Sequence, residues 1–346
     1  MKILAVGDSF VPIPVFKTGF GPLVQDHEVE YLQLDESRQL SPTEPPRSIR
    51  EYIGTPDQLV ERIGDADILV VHGAPVTAEV LEAGRRLKLV CCARGGPVNV
   101  DIEAASARGI PVVNTPGKNA DAVADQAIAF MIMLARGFPR AQRFLLNGGR
   151  LGESAYEGAQ FLGHELGGHA LGLVGYGNVG RRVRQRAAAF GVNVVVFDPY
   201  VRVDGADAVL QVDSLPELLA VADFVSLHVR ASAGTENLIG PDEFAAMKDG
   251  AYFINTARET LVDEDALYAA LESGHLGGAA LDVVRSRRDH GRHPLLGLEN
   301  VVITPHIGGA TYETLLRGVA MVAAEINRFV KHEPMQWVVN RAAVEL

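Results

Sequence analysis

The stretch ALGLVGYGNVGRRVRQRAAAFGVNVVVFDPY, residues 170–200, restricts the possible folds more than any other part of the chain. An apolar, β-rich run leads into Gly175-x-Gly177-x-x-Gly180, then a helical pattern, then a second apolar run that ends in Asp198. Strand, glycine turn, helix and strand make a βαβ unit whose two strands must run parallel. Gly175 permits the tight turn, Gly177 lets the backbone approach a pyrophosphate, and Gly180 lets the helix pack close to the sheet. The helix amino terminus offers N–H groups and a partial positive charge to phosphates. Asp198 is placed to accept hydrogen bonds from an adenosine ribose and to repel a 2′-phosphate, which points to NAD over NADP.

The rest of the chain alternates in the same way. β-rich runs occur at 2–7, 29–34, 67–73, 88–93 and 110–114, and helical patterns at 77–84 and 101–109 separate the later ones. Alternation of this kind implies parallel sheets covered by helices. SPTEPPRS (41–48) reads as a proline-rich surface loop and NTPGKN (114–119) as a link. A long helical pattern covers 119–136, a second series of strands runs from about 170 to 304, and a last helix covers roughly 311–332. With 346 residues the chain can hold two domains, each with its own core.

Composition excludes several classes. A formal net charge of −11 argues against nucleic acid or an anionic membrane as the main partner, since both are bound through basic surfaces. The longest strongly apolar run, AIAFMIMLA (127–135), falls short of the roughly 20 residues a membrane span needs. MKILAVGDSF reads as a first strand and not as a signal peptide. Cys91 and Cys92 are the only cysteines; as neighbours they make a poor disulfide and cannot build a zinc site alone. They are expected to be buried strand residues in a reduced, cytoplasmic protein without a metal.

Beyond the glycine motif, GAYFINTARETLVDEDALYAALESGHLGGAALDVV (250–284), HPLLGLENVVITPHIGGAT (293–311) and VNVDIEAASARGIPVVNTPGKNADAVADQAIAFMIMLAR (98–136) resemble the D-isomer-specific 2-hydroxyacid dehydrogenase family. The resemblance covers about residues 65–330; the first 60 match poorly beyond an opening strand. It implies an α/β protein of two Rossmann/flavodoxin-like domains with parallel sheets and an active site in the interdomain cleft. The substrate domain is expected to comprise 1–117 plus 305–346 and the NAD-binding Rossmann domain 118–304, with hinges near Pro116 and Pro305. The helix at 119–136 and FPRAQRFLLNGGR (138–150) resemble the family's dimer arm, which implies a homodimer.

The implied reaction is hydride transfer between NAD(H) and a small-molecule 2-oxo/2-hydroxy acid of D configuration. Arg258, in NTAR, corresponds to the family's substrate arginine, whose forked guanidinium can bridge carboxylate and carbonyl oxygens without losing its charge. His306, in TPHIGG, corresponds to its general acid/base, a task suited to an imidazole with a reference pKa of about 6.5. ARGGPVNVD (93–101) matches the loop whose backbone N–H groups hold the substrate carboxylate, here Gly95 and Gly96. Arg94 has no counterpart in that loop and is either a second anion contact or a solvated side chain, while His72 lies where relatives often have an arginine or serine facing the substrate. Tyr176, Asn178, Val179, His228, Thr235, Thr256, Asp282 and Gly308 are implied to line the cofactor together with the three glycines.

One position departs from the pattern. RSRRDHGRH (285–293) is a basic knot in an acidic chain. Counting from Asp282 and back from HPLL puts Arg287 where the family has the glutamate that hydrogen-bonds its catalytic histidine. A guanidinium there disfavours imidazolium, whereas a carboxylate favours it. Three readings follow. The substrate carries a second anionic group, a phosphate, phosphonate or distal carboxylate, that pairs with Arg287 and with Arg94 as a second contact; or the loop has moved and another acid, Asp289 or Asp125, serves His306; or Arg287 faces water and the protein is slow, altered in chemistry or not an enzyme. The last leads to an NAD(H)-binding regulatory protein of the same fold as the alternative function, with a decarboxylating or formate-type dehydrogenase a lesser one.

Overall fold

Asp67, at the foot of one strand, accepts a hydrogen bond from the Lys2 amide at the start of another, and so aligns the first two neighbours of a parallel sheet. The computed structural model of the chain describes residues 1–38, 48–149, 155–203, 209–285 and 292–344, which form two units. The first unit comprises Met1–Asn119 and Ala310–Leu346. It contains β1 (Lys2–Gly7), α1 (Ile13–Phe20), β2 (Glu28–Gln33), α2 (Pro56–Val60), β3 (Ile68–Val71), α3 (Ala78–Ala83), β4 (Leu89–Cys92), α4 (Ile102–Ala107) and β5 (Val112–Val113). The strands lie in the order β2-β1-β3-β4-β5 and every pairing is parallel. Every residue of β3 and β4 is buried, Cys91 and Cys92 included, because a parallel sheet is covered on both faces. β5 is shorter than its apolar run, since Pro111 has no N–H to give a ladder.

The second unit, Ala120–Gly309, starts with α5 (Ala120–Ala135) and α6 (Phe138–Leu146). It continues through β6 (Ala170–Val174), α7 (Asn178–Ala188), β7 (Asn193–Phe197), β8 (Leu210–Gln211), α8 (Leu215–Val221) and β9 (Phe224–Leu227). α9 (Pro241–Ala246), β10 (Tyr252–Asn255), α10 (Glu264–Glu272), β11 (Gly278–Leu281) and β12 (Val301–Ile303) complete it. Its sheet order, β12-β11-β10-β9-β6-β7-β8, reverses direction at β6/β9, the switch point at which such sheets bind dinucleotides. α5 is apolar around most of its circumference because it packs against α7, β10 and β11. Among the described residues no single helix is long and apolar enough to cross a membrane.

The chain then returns to the first unit through α11 (Tyr312–Val330), capped by Thr311, whose hydroxyl accepts the Thr314 amide. α11 lays Val319, Val322 and Ile326 on the β-sheet face formed by Ile3, Ala5, Ile68, Val70, Leu89 and Cys91. It also packs against α1, where a Cβ added at Gly19 would lie 2.5 Å from Val319 Cγ1. Gly19→Ala is therefore expected to force the two helices apart and to cost about 1–3 kcal/mol, read as a lower urea midpoint. An unchanged midpoint would show that the contact relaxes freely.

Candidate active site

Parallel strands deliver the residues that follow them to one edge of the sheet, and in the second unit that edge gathers nearly all the expected cofactor residues. Gly175 leaves β6 at φ +99, and a Cβ there would meet His228 C and O at 2.8 Å. A Cβ at Gly180 would lie 2.3 Å from Gly175 O, so the first and third glycines are required by the protein's own backbone. Gly177 differs: a Cβ there would meet nothing within 4 Å. Its open side and the leading N–H groups of α7, those of Asn178 and Val179 among them, suit a pyrophosphate. The buried ring of Tyr176 lies under the Arg181 guanidinium, 4.8 Å from carbon to ring centre.

Asp198, at the end of β7, ties this turn down. Its Oδ2 accepts the Tyr176 amide at 2.7 Å, and its Oδ1 accepts those of Tyr200 and Val201 at 2.9 and 3.0 Å. Of the roughly four acceptor directions of a carboxylate one is left for a ribose hydroxyl. His228, after β9, hydrogen-bonds Ser226 Oγ at 3.0 Å, and burial pushes its pKa down to about 4, so it is neutral near pH 7. The Thr235 hydroxyl is spent within its own turn, accepting the Ser232 amide and donating to Arg230 O. The Thr256 hydroxyl, after β10, is buried and has no hydrogen-bond partner among the described residues, an orphan that a bound group can satisfy. These features fit a dinucleotide.

Arg258 and His306 leave the same edge, after β10 and β12. Asn255 braces the first loop: its Oδ1 accepts the Ala257 amide at 2.9 Å and its Nδ2 donates to Arg258 O at 2.9 Å. The Arg258 guanidinium is exposed, donates to Ala257 O, and makes no ion pair among the described residues. Between these strands, after β11, stands buried Asp282. Its carboxylate accepts from Gln126 Nε2 (3.0 Å), Thr304 Oγ1 (2.6 Å), and the amides of Ile307 (2.9 Å) and Gly308 (2.8 Å). Its carbonyl accepts the His306 amide at 2.9 Å. Read from the sequence as a cofactor contact, Asp282 thus anchors the His306 loop. His306 is held at φ 56, left-handed backbone that a non-glycine residue adopts only at a cost, with its imidazole exposed. Gly308 has no room for a side chain, since a Cβ would lie 2.7 Å from Gln126 Oε1 and 2.8 Å from Asp282 Oδ2.

The basic knot is only partly described. Glu264 holds both of its ends, accepting the Arg285 amide at 2.6 Å and hydrogen-bonding His293 Nε2 at 3.1 Å. Arg285 donates to Asn237 Oδ1 and Arg292 to Leu296 O, so these cations serve local structure. Arg287, like Asp289, lies outside the described residues. Asp125, the other acid considered for His306, accepts from Arg186 Nε at 2.5 Å.

In the first unit, the corresponding edge holds His72, Arg94, Gly95 and Gly96. His72 Nδ1 lies 3.0 Å from Asp8 Oδ2, and its ring stacks on Phe10 with centres 5.3 Å apart. Burial pushes the imidazole down from its ordinary value despite the carboxylate beside it. Burial also works against Asp8, but the His72 hydrogen bond and the Val11 and Gly73 amides hold it below the usual carboxylate range. Arg94 is tied to Glu51, with Nη2 2.6 Å from Oε2 and Nη1 2.6 Å from the carbonyl. Gly95 and Gly96 are exposed, and a Cβ on Gly96 would meet nothing within 4 Å. Buried Asn99 braces this edge by donating to His72 O and Ala74 O. Asn255, Gln126, Asp8 and Asn99 were not singled out from the sequence; each acts through partners whose position only the fold reveals.

Residues 128–308 match the family model "D-isomer specific 2-hydroxyacid dehydrogenase, NAD binding domain". The chain is 39% identical over 289 residues to D-3-phosphoglycerate dehydrogenase of Methanocaldococcus jannaschii, covering 83% of this chain and 54% of that protein. It is 40% identical over 270 residues to hydroxypyruvate reductase of Thermotoga maritima, covering 77% of this chain and 86% of that one. The chain spans about half the length of the D-3-phosphoglycerate dehydrogenases it matches. Among solved structures it is similar to D-2-hydroxyisocaproate dehydrogenase, with a TM-score of 0.79, 27% identity, and coverage of 98% of this chain and 100% of that one.

The glycines make a sharp test. Gly177→Ala is expected to leave the melting temperature unchanged, since the methyl meets no protein atom, yet to weaken NADH binding at least about tenfold, roughly 1.4 kcal/mol, in a fluorescence titration. Unchanged affinity would mean that the pyrophosphate does not cross there.

Proposed function

The chain belongs to the D-isomer-specific 2-hydroxyacid dehydrogenase family, and from that membership we propose that it interconverts a 2-oxo acid and a D-2-hydroxy acid with NAD(H). Gly175, Tyr176, Gly177, Asn178, Val179 and Gly180 hold the pyrophosphate and Asp198 the adenosine ribose. Bound NADH supplies the hydride for the keto carbon. Arg258 draws electron density toward the keto oxygen and pairs with the carboxylate, an always-charged fork suited to both oxygens. The Gly95 and Gly96 amides take the carboxylate as well. His306 gives its proton to the oxygen that gains charge as the hydride arrives, and takes it back in the oxidative direction. The observation that carries this reading is the grip of Asp282 on the His306 loop, which holds an exposed imidazole on left-handed backbone.

The substrate's tail is a further part of the proposal. The register of Arg287 supports a second anionic group, a phosphate, phosphonate or carboxylate, because a guanidinium there requires an anion to leave His306 able to protonate. Arg94, already matched by Glu51, is the weaker receiver. A second reading, an NAD(H)-binding regulatory protein with weak or no turnover, is favoured by the same arginine standing in place of a carboxylate. A homodimer is supported by α6, which buries none of its residues and leaves Phe138 50% and Leu146 79% exposed. The two free, buried cysteines suit a reducing, cytoplasmic setting.

NADH oxidation against 2-oxo acids with and without a distal anion tests the reading. Activity is expected, and His306→Gln should lower kcat by about 10²–10⁴-fold. Arg287→Glu should impair substrates with an anionic tail and spare or improve those without. NADH binding without turnover on any acid would favour the regulatory reading; uncharged tails turning over at least as well would remove the second anion. For the assembly, light scattering should give twice the 37.1 kDa of one chain, and Leu146→Glu should return it to one.

A further inference from the structure

Three successive carbonyls of the glycine loop are each held by one donor from the segment that ends the first unit's amino-terminal part. Lys118 Nζ donates to Ala93 O at 2.6 Å, the Thr115 amide to Arg94 O at 2.9 Å, and Asn114 Nδ2 to Gly95 O at 2.8 Å. In a trans peptide the C=O and the following N–H point in opposite directions. Pinning the Arg94 and Gly95 carbonyls therefore aims the Gly95 and Gly96 N–H groups away from residues 114–118. Neither amide donates to an acceptor among the described residues.

We infer that Asn114 and Lys118 are positioning residues that hold the Gly95–Gly96 backbone ready for the substrate carboxylate, Lys118 also supplying the positive charge behind it. The inference rests on the dehydrogenase reading and deepens it. Lys118 is 7% exposed, and its ammonium has a neutral carbonyl as its hydrogen-bond partner, with no carboxylate at ion-pair distance among the described residues. The other charges nearby are already matched. Arg94 is paired with Glu51, and Asp8 is shared between His72 and three backbone amides. The fold also makes room for this side chain: a Cβ on Gly318 of α11 would lie 2.8 Å from Lys118 Cδ and 3.3 Å from Nζ. Arg317, one residue earlier, donates to Lys118 O and fixes its backbone. A hydrogen bond to a carbonyl polarises its peptide group, which strengthens the N–H on the far side as a donor: the Thr115 and Asn114 contacts do this for the Gly95 and Gly96 amides, whereas Lys118, on Ala93 O, fixes the peptide that leads into them.

Lys118 gives the arrangement a pH signature. Burial, joined by the charge of Arg94 and opposed by Cys92 and Asp8, brings its pKa down to about 8. His72 also faces it, neutral near pH 7 because burial lowers its own value. A lysine with a lowered pKa is charged below that value and loses its charge above it, so carboxylate binding weakens as pH rises through about 8.

The experiment measures KM for a 2-oxo acid, kcat and the NADH Kd from pH 6.5 to 9.5. In the wild type KM is expected to rise above about pH 8. Lys118→Met should raise KM at pH 7 about tenfold, with a smaller effect on kcat and none on NADH affinity, and should abolish the break near pH 8. Lys118→Arg should keep a low KM through pH 9.5, because a guanidinium does not deprotonate there. Asn114→Ala should raise KM without moving the break. A wild type that reduces no 2-oxo acid sinks the dehydrogenase reading and this inference together. An active wild type with KM and its pH profile unchanged in Lys118→Met and Asn114→Ala overturns the inference alone, as does a uniform loss of kcat, NADH affinity and melting temperature.

Discussion

The Asp282 carboxylate is the interaction on which the second unit's Arg258–His306 edge depends. Burying a carboxylate is costly unless donors surround it, and here four do, from α5, the end of β12 and the loop beyond it. Hydrogen bonds to a charged group contribute about 1.5–3 kcal/mol each. That is enough to offset the roughly 1–3 kcal/mol of left-handed backbone at His306. The histidine is thus aimed by a neighbour that has no need to touch it through its own side chain.

The first unit solves the same problem with the same device. Asp8 follows β1 as Asp282 follows β11, is fully buried, and accepts four hydrogen bonds: from the Phe10, Val11 and Gly73 amides and, at His72 Nδ1, from a ring. Parallel sheets end in loops whose amides have lost their ladder partners. One buried acid collects several of those amides and fixes the loops around it. Each edge is thereby braced by one buried acid, and the protein's −11 net charge includes two carboxylates that serve inside it.

What could be read from the sequence follows the range over which its signals act. The glycine turn, the buried strands and α5 were legible because turn chemistry and hydrophobic period are local. Arg258 and His306 could be singled out as candidates because short motifs surround them. Arg94 was not, since its partner Glu51 lies far off in the chain and only the fold brings them together. The same holds for Gln126, which reaches Asp282 across more than a hundred residues. NTPGKN reads as a link because of Pro116 and Gly117, yet Thr115 and Lys118 are buried and the segment clamps the glycine loop. Likewise the basic knot reads as one cluster, but Arg285, Arg292 and His293 turn to separate local partners.

The way the first unit is stitched from two separate stretches of chain bears on biosynthesis. Its sheet face of Ile3, Ala5, Ile68, Val70 and Leu89 is covered by Val319, Val322 and Ile326 of the last long helix, and Val113 is bridged by Val338. On the ribosome that oily face emerges long before its cover does. The intervening unit, continuous in the chain, can mature in the meantime, while the opening stretch stays sticky and vulnerable until α11 has been made. For this polypeptide the dangerous interval is the wait for α11, when shielding of apolar surface has most to offer.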